Sequence, residues 1–460
     1  MSIRSLPSFR WLLVAGLPLF VGCPPQPSEV PKEAPKTEAS SGATGSSATG
    51  SSATVTAPKE DAKPAAAADD PAVVAALKAK GVKLDMAGEN IAGIAYSFGT
   101  SSVSVSDQDL VDLAKLPGLK KLVLFGPEIT NAGVAHLAKI KSLRDITLEK
   151  TAVNDEGLAL LKDLPELATV KLPYASVTAT GLQHLSQLPK LKTLELLRTL
   201  TNNEGLAHLA NVKTLTSLDL RDTQVDDDGL AALANLGQLQ ILKLSTDRIS
   251  GQGMVHLKNL NSLTSLTFDL SAVDDEGIAE LAGLTKLKEL SLYKTRVGDD
   301  GMKTIKNFAA LQTLELRETA VSVDGLKELA GMKELKKLDL SETDTTDEGV
   351  EALKALPALE DLNLWFSLVS DAGCKAIGEM KQLTRLNLDK TSISDSGVAQ
   401  LASLENLTWA HLGSNNLTDA SIEPLSKLKR MKTLILTFNR FSEEGQAKLK
   451  AALPECDIKF

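Results

Sequence analysis

One column of glycines limits the architecture more than any other feature. Gly133, Gly157, Gly181, Gly205, Gly229, Gly253, Gly277, Gly301, Gly325, Gly349, Gly373 and Gly397 stand 24 residues apart, Ser421 takes the next place, and Gly445 follows. Fourteen units fill residues 119–454 without an insertion or deletion. A fixed period of this length means stacked units that each touch only their neighbours. Each unit reads close to LxxLxLxxTxVxDxGLxxLxxL, as in LTSLDLRDTQVDDDGLAALANL. In its first half side chains alternate, so leucines face in and their neighbours out. In GLxxLxxL, apolar residues recur at three-residue steps, which gives a helix one buried face. Neither layer can bury its face alone, so the units must share one continuous core.

These residues resemble the leucine-rich repeat family over 119–454, and are most similar to its 24-residue GALA-type and ribonuclease-inhibitor-like forms. The resemblance implies an α/β fold, a right-handed solenoid bent into a horseshoe. A parallel β-sheet lines its concave side and helices its convex side. One column departs from the family pattern. Where asparagine or cysteine is usual stand Thr151, Thr199, Thr223, Thr295, Thr319, Thr343 and Thr391, and only Asn415 and Asn439 keep the amide. A hydroxyl is expected to bond turn backbone from repeat to repeat, with fewer bonds than an amide. GALA-type effectors carry an F-box as well; no such segment is visible, so no ubiquitin-ligase role follows. Residues 71–118 read as a capping helix and a degenerate repeat, and 455–460 as a last strand closing the core.

The N-terminus differs from the rest. MSIRSLPSFR carries two arginines and no acid, and WLLVAGLPLFVG follows as a short apolar run. That run is too short to span a bilayer and suits a signal peptide. It ends at FVGC, which resembles the bacterial lipobox, although Phe20 stands where leucine is usual. The resemblance implies diacylation of Cys23 after cleavage, so residues 1–23 are expected to be a lipoprotein signal. More than one acyl chain gives stable anchoring. Residues 24–70 are rich in Pro, Ser, Ala and Gly and hold almost nothing large and apolar, so they are expected to be a disordered tether. The expected location is the bacterial cell envelope, with the protein exported and membrane-anchored.

Acidic clusters such as VDDDG invite a calcium loop. With Gly229 as the invariant glycine, the first ligand position would be Gln224 and the last Asn235; around Gly277 they would be Ala272 and Gly283. Such a loop wants an aspartate at the first position and a bidentate glutamate at the last, and neither glycine is flanked by them. Helix capping accounts for more. Three residues before the glycine column stand Thr130, Asn154, Thr178, Asn202, Asp226, Ser250, Asp274, Gly298, Ser322, Thr346, Ser370, Ser394, Thr418 and Ser442, all favoured N-cap types. The acids just after them are expected to complement the helix dipole. The glycine itself is expected to allow close packing of the helix start against the preceding turn. His136, His184, His208 and His256 share one column with no ligand set around them and read as solvated. Cys374 and Cys456 fall in apolar slots too far apart to bridge. There is no GxSxG, P-loop or HExxH, so neither catalysis, cofactor, metal nor small-molecule substrate is expected.

What remains is the concave face. The chain is net acidic at −9, which argues against nucleic acid. Yet the first four units offer Lys120, Lys121, Arg144, Lys150, Lys171, Lys192 and Arg198 against Asp145, Glu149 and Glu195. Aromatics are scarce, and Phe125, Tyr174, Tyr293, Trp365, Phe366, Trp409 and Phe438 fall on concave or edge positions. With Arg198, Asp219, Arg221 and Arg317 they form the candidate partner-binding set, since Trp, Tyr and Arg dominate interface hot spots. The expected function is non-catalytic binding of a macromolecule, most simply a protein. A cell-surface glycan, stacked on Trp365 beside Asn363 and Asn387, or a purely structural envelope role, are the alternatives.

Overall fold

Leucine spacing translates directly into strands. In unit 215–238, Leu218 and Leu220 are fully buried while Ser217 and Arg221 face outward, half-buried. The computed structural model describes residues 69–80, 82–88, 90–95 and 105–460, all within a unit that runs from Pro64 to Phe460. Residues 1–23, expected to be a signal segment ending at Cys23, and nearly all of 24–70, expected to be a tether, lie outside the described residues.

Among the described residues, seventeen strands make one open sheet in chain order. The first two, Lys83–Ala87 and Asn90–Ala95, are antiparallel. Every later pairing is parallel, and from Lys121–Phe125 onward the register advances by the sequence period, as in Leu290 to Leu314 to Leu338. Gly93 pairs with Lys121, four residues beyond the period. Asp457–Lys459 is the last strand. Helices return each chain segment along the other face of the core, so the expected leucine-rich repeat solenoid is the observed fold. The core is continuous, from Val73 in the first helix, Pro71–Ala79, to Leu453, just past the end of the last, Glu443–Ala452.

Two units depart from the expected helix. Asp228–Leu233 and Gly251–His256 are 3₁₀ turns. In the second, Gly251 and Gly253 both fall in the first turn, where glycine is a poor helix former.

The cap column behaves as expected in most units. Thr130, Asn154, Ser250, Asp274 and Ser394, for example, accept from a backbone N–H of the first turn, whereas Gly298 and Thr346 make no side-chain cap. The residue after the cap has a role beyond the one expected. Its carboxylate or amide oxygen reaches back to the cap of the next unit. Asp227 accepts from the Ser250 N–H at 2.8 Å and hydroxyl at 2.6 Å; Asp299 does the same for Ser322, Asp347 for Ser370, and Asp155 for Thr178. Among the described residues this stitch is missing where the position is Ala179, Gly251 or Val323. The acids therefore tie repeats together, in addition to any interaction with a helix dipole.

The stitch also accounts for most of the glycine column, Gly205, Gly277 and Gly349 being the members that follow a unit without it. A Cβ at Gly301 would lie 2.6 Å from Asp275 Oδ1 and 2.8 Å from Val297 Cγ1. The crowding comes from the preceding unit's carboxylate as much as from the turn. Ser421 shows the exception: fully buried, it donates its hydroxyl to Asp395 Oδ1, so a side chain that would otherwise collide becomes a partner.

The threonine column corrects a second expectation. Thr199, Thr223, Thr295, Thr319 and Thr343 donate to the carbonyl three residues earlier in their own unit, at 2.6–2.9 Å. Among the described residues the column's amides bond backbone across units: Asn415 donates to Leu388 O as well as Leu412 O, and Asn439 to Leu412 O as well as Leu436 O, while the one hydroxyl of the column that reaches across, Thr391, meets the Asn415 side-chain oxygen at 3.2 Å. A hydroxyl has one proton and a short reach, so it closes its own turn. Cys374 is buried, its thiol pushed up to about 12 by burial and by Asp371 and Asp347, while Cys456 is only half-buried; both are free.

Candidate binding surface

Each strand presents alternate residues away from the core. In unit 359–382 these are Asp361, Asn363 and Trp365, followed by Phe366 at φ 53°, Ser367 turned inward, and Leu368 turned out. The left-handed residue recurs at this place in unit after unit: Lys150, Tyr174, Arg198, Asp222, Leu270, Lys294, Glu318, Glu342, Phe366, Lys390, Ser414 and Phe438. It marks the rim where the strand leaves the sheet.

The rim divides the candidate set in two. Phe125, Asp219, Arg221, Tyr293, Arg317, Trp365 and Trp409 stand on the sheet face, and Tyr174, Arg198, Phe366 and Phe438 on the rim. Asp219 is a correction: it is 7% exposed and locked by a bidentate bond from Arg221, whose Nε lies 2.9 Å from Oδ1 and Nη2 2.6 Å from Oδ2. Phe125, Tyr293, Trp365 and Trp409 are half-buried rather than freely exposed. The histidine column is likewise half-buried on the helices, not fully solvated. Among the described residues no group of three or more His, Cys, Asp or Glu is placed to hold a metal.

Aromatic and cationic side chains meet in three clusters. Toward the start of the stack, Lys150 lies 5.5 Å from the Phe125 ring and 4.9 Å from Tyr174, and Arg198 lies 5.6 Å from Tyr174 while pairing with Asp222. Further on, Arg317 sits 4.8 Å from Tyr293 and 5.1 Å from Trp365, reaching over the small, buried Ser341, and Lys390 covers Trp365 at 5.6 Å. Glu342 receives the Arg317 guanidinium, and Tyr293 donates its hydroxyl to Glu318, which Lys294 also holds. Burial pushes the Tyr293 hydroxyl above its usual range, and Glu318 adds to that. Beside this row, Arg385 stacks 4.4 Å from Trp409 and pairs with Asp361. Such contacts add about 0.5–2 kcal/mol each and hold long side chains in one pose. Lys294 and Lys390 escaped the sequence reading, which had Lys150 only as one of the basic residues of the first units. The period was the available signal, since these partners lie one repeat, or one repeat and one residue, apart.

Between the clusters the face is low and polar. Two adjoining hollows of about 310 and 200 Å³ share Lys243, Ser265 and Glu289, with Thr193, Ser217, Thr267 and Thr313 in their linings. Ser291 Oγ lies 2.6 Å from Asp269 Oδ1 and 2.8 Å from Glu315 Oε2. One hydroxyl proton serves only one of them, and burial, with Glu315 beside it, pushes the Asp269 carboxyl above its usual range.

The comparisons agree with this architecture. The Leucine Rich repeat family description matches residues 213–234 and 333–354. No curated protein matches the chain. Among solved structures, an internalin from Listeria monocytogenes is similar at 23% identity and a TM-score of 0.55, over 73% of this chain and 91% of that one. A leucine-rich repeat protein from Leptospira interrogans is similar at 21% identity and a TM-score of 0.51, over 78% of this chain and 95% of that one.

Proposed function

We propose that the protein is a non-catalytic scaffold, exported and held to a bacterial membrane by lipid on Cys23, that binds an acidic protein partner on its sheet face. The observation that carries this is the row Tyr293–Arg317–Trp365–Lys390, in which ion pairs and ring contacts pre-set the side chains most suited to anchor a partner. Pre-setting lowers the ordering entropy lost on binding. Charge supplies the attraction. Lys120, Lys121, Arg144 and Lys192 are exposed and form no ion pair among the described residues, so the first units steer an acidic surface toward the row. A glycan fits less well. The Trp365 ring is already covered by two cations, and the Asn363 and Asn387 amide oxygens accept backbone N–H groups of Trp365 and Asp389.

The test is capture of partners by in-cell crosslinking and mass spectrometry, followed by a binding measurement on the recovered partner. Arg317→Ala with Trp365→Ala is expected to weaken capture by about 2–4 kcal/mol, the range of a hot-spot pair, and the affinity is expected to fall as salt rises. Undiminished capture would refute the site, and competition by free sugars would favour a glycan instead. For the anchor, Cys23→Ser is expected to move the protein out of the membrane fraction as an uncleaved or unacylated chain that carbonate wash extracts. Acyl labelling that persists in the variant would rule out Cys23 as the lipid site.

A further inference from the structure

Exposed apolar side chains are not scattered over this molecule. Among the described residues, six of the ten exposed large hydrophobics stand on the rim: Tyr174, Leu200, Leu270, Phe366, Leu368 and Phe438. Phe438 is 83% exposed, Leu368 60% and Phe366 59%. Their placement is not explained by folding. Tyr174, Leu270, Phe366 and Phe438 occupy the left-handed turn position, at φ 63°, 60°, 53° and 61°. That conformation suits glycine or asparagine, and for bulky residues it is strained. Tyr174, Leu270 and Phe366 follow one another at intervals of four repeats.

The rim is also positive. Arg248, Arg296, Arg440, Lys150 and Lys390 are exposed there without an ion pair among the described residues, against Glu128, Asp247 and Asp344. Its other acids are neutralised within the protein: Asp222 by Arg198, Glu318 by Lys294 and Glu342 by Arg317. Aromatic and leucine side chains interleaved with arginine and lysine are the composition of a bilayer interface.

We propose that this rim is a contact for an anionic lipid surface. The apolar residues enter the headgroup region, and Arg248, Arg296 and Arg440 meet lipid phosphates. The spacing favours a membrane over a protein. Tyr174 and Phe438 are eleven repeats apart, roughly 50 Å at the spacing of neighbouring strands. A protein hot spot gathers its anchors at one centre, whereas a flat surface meets a whole row, one side chain at a time. In this pose the strands point toward the bilayer and the sheet face stays open to a partner.

The test uses the full chain carrying Cys23→Ser and Cys456→Ser, with a fluorophore on Phe438→Cys. Vesicles are equal parts phosphatidylcholine and phosphatidylglycerol with brominated acyl chains as quenchers. A second chain bears the fluorophore on Val255→Cys, an exposed position in the helical layer. The rim label is expected to be quenched several-fold more than the helix label, and the excess to vanish with phosphatidylcholine alone. Phe366→Asn with Leu368→Asn is expected to reduce that excess, and because asparagine tolerates the left-handed turn at Phe366 the fold should persist. Equal quenching at the two labels would overturn the proposal, even if the N-terminus holds the chain to the vesicle. So would loss of partner capture in the Asn variant without any change in quenching, which would assign the rim to a protein. The Phe366 ring lies 6.2 Å from that of Trp365, so the sheet-face reading is judged separately, by the Arg317 and Trp365 variants, and the rim by the quenching at Phe438→Cys.

Discussion

Gly325→Ala is expected to destabilise the solenoid by about 2–4 kcal/mol, while the same change at Gly349 leaves stability within about 1 kcal/mol. Both glycines lie in the first turn of a helix, in neighbouring units. Helix propensity alone would favour alanine at both by about 1 kcal/mol. The difference is the preceding unit. At Gly325 the new methyl would overlap Asp299 Oδ1, with Val321 Cγ1 at 3.0 Å and Met302 Cγ at 3.1 Å. That carboxylate also accepts the Gly325 and Ser322 N–H groups, so it has nowhere to retreat without leaving donors unpaired. At Gly349 the preceding unit offers Val323 in place of an acid, and the nearest atom is Leu326 Cδ1 at 3.0 Å, the end of a flexible side chain. Urea denaturation of the two variants beside the parent measures the difference. Equal effects at the two sites would mean that the stitch does not set the glycine column.

Asp395→Ala is expected to destabilise by about 2–3 kcal/mol at neutral pH, through buried donors left without partners. Asp395 accepts from the Thr418 N–H at 2.9 Å and hydroxyl at 2.6 Å, and from the fully buried Ser421 hydroxyl. Burial acts to raise this carboxyl, but the bonds from Ser421 and Thr418 outweigh it and hold it below the usual range. Asp371 is held low in the same way by Ser394, Ser396 and Gly397, and Asp419 by Ser442. A carboxyl depressed in the folded state contributes stability above its unfolded value, near about 3.9, and that contribution is lost as pH falls through the folded value. Stability is therefore expected to decline on acidification below about pH 4, and Asp395→Ala to flatten part of that decline. Asp269 and Asp361, both raised chiefly by burial, act in the opposite sense. Denaturation midpoints of parent and variant from neutral to acid pH test this. Parallel profiles would show that Asp395 is not held low in the folded state.

Much of the fold was legible because it is periodic. Leu218 and Leu220 as core, Asp274 as a cap, and the strand–turn–helix order of each unit follow from side-chain alternation, three-residue steps and local hydrogen bonding, all of which act within one repeat. What was misread acts between repeats. Asp227 was read only as answering its own helix, and it also holds Ser250 of the next unit. Asp219 was read as reaching for a partner, and Arg221 holds it against the sheet. Trp365 was read as an exposed anchor, and it lies under Arg317 from two repeats away and Lys390 from the next.

The division has a physical origin. The sequence by itself determined that residues 119–454 stack as leucine-rich repeats, because a strict period with two hydrophobic rhythms has one stable way to bury both faces. Only the tertiary structure decided which outward side chains stand together. Stacking brings residues a whole period apart to within strand spacing, and there charge, ring face and available space choose the neighbour. It also separated Phe366 and Phe438 on the rim from Trp365 and Trp409 on the sheet. Whether a side chain lies flat on the sheet or stands at its edge depends on a left-handed turn that its own residue type does not signal.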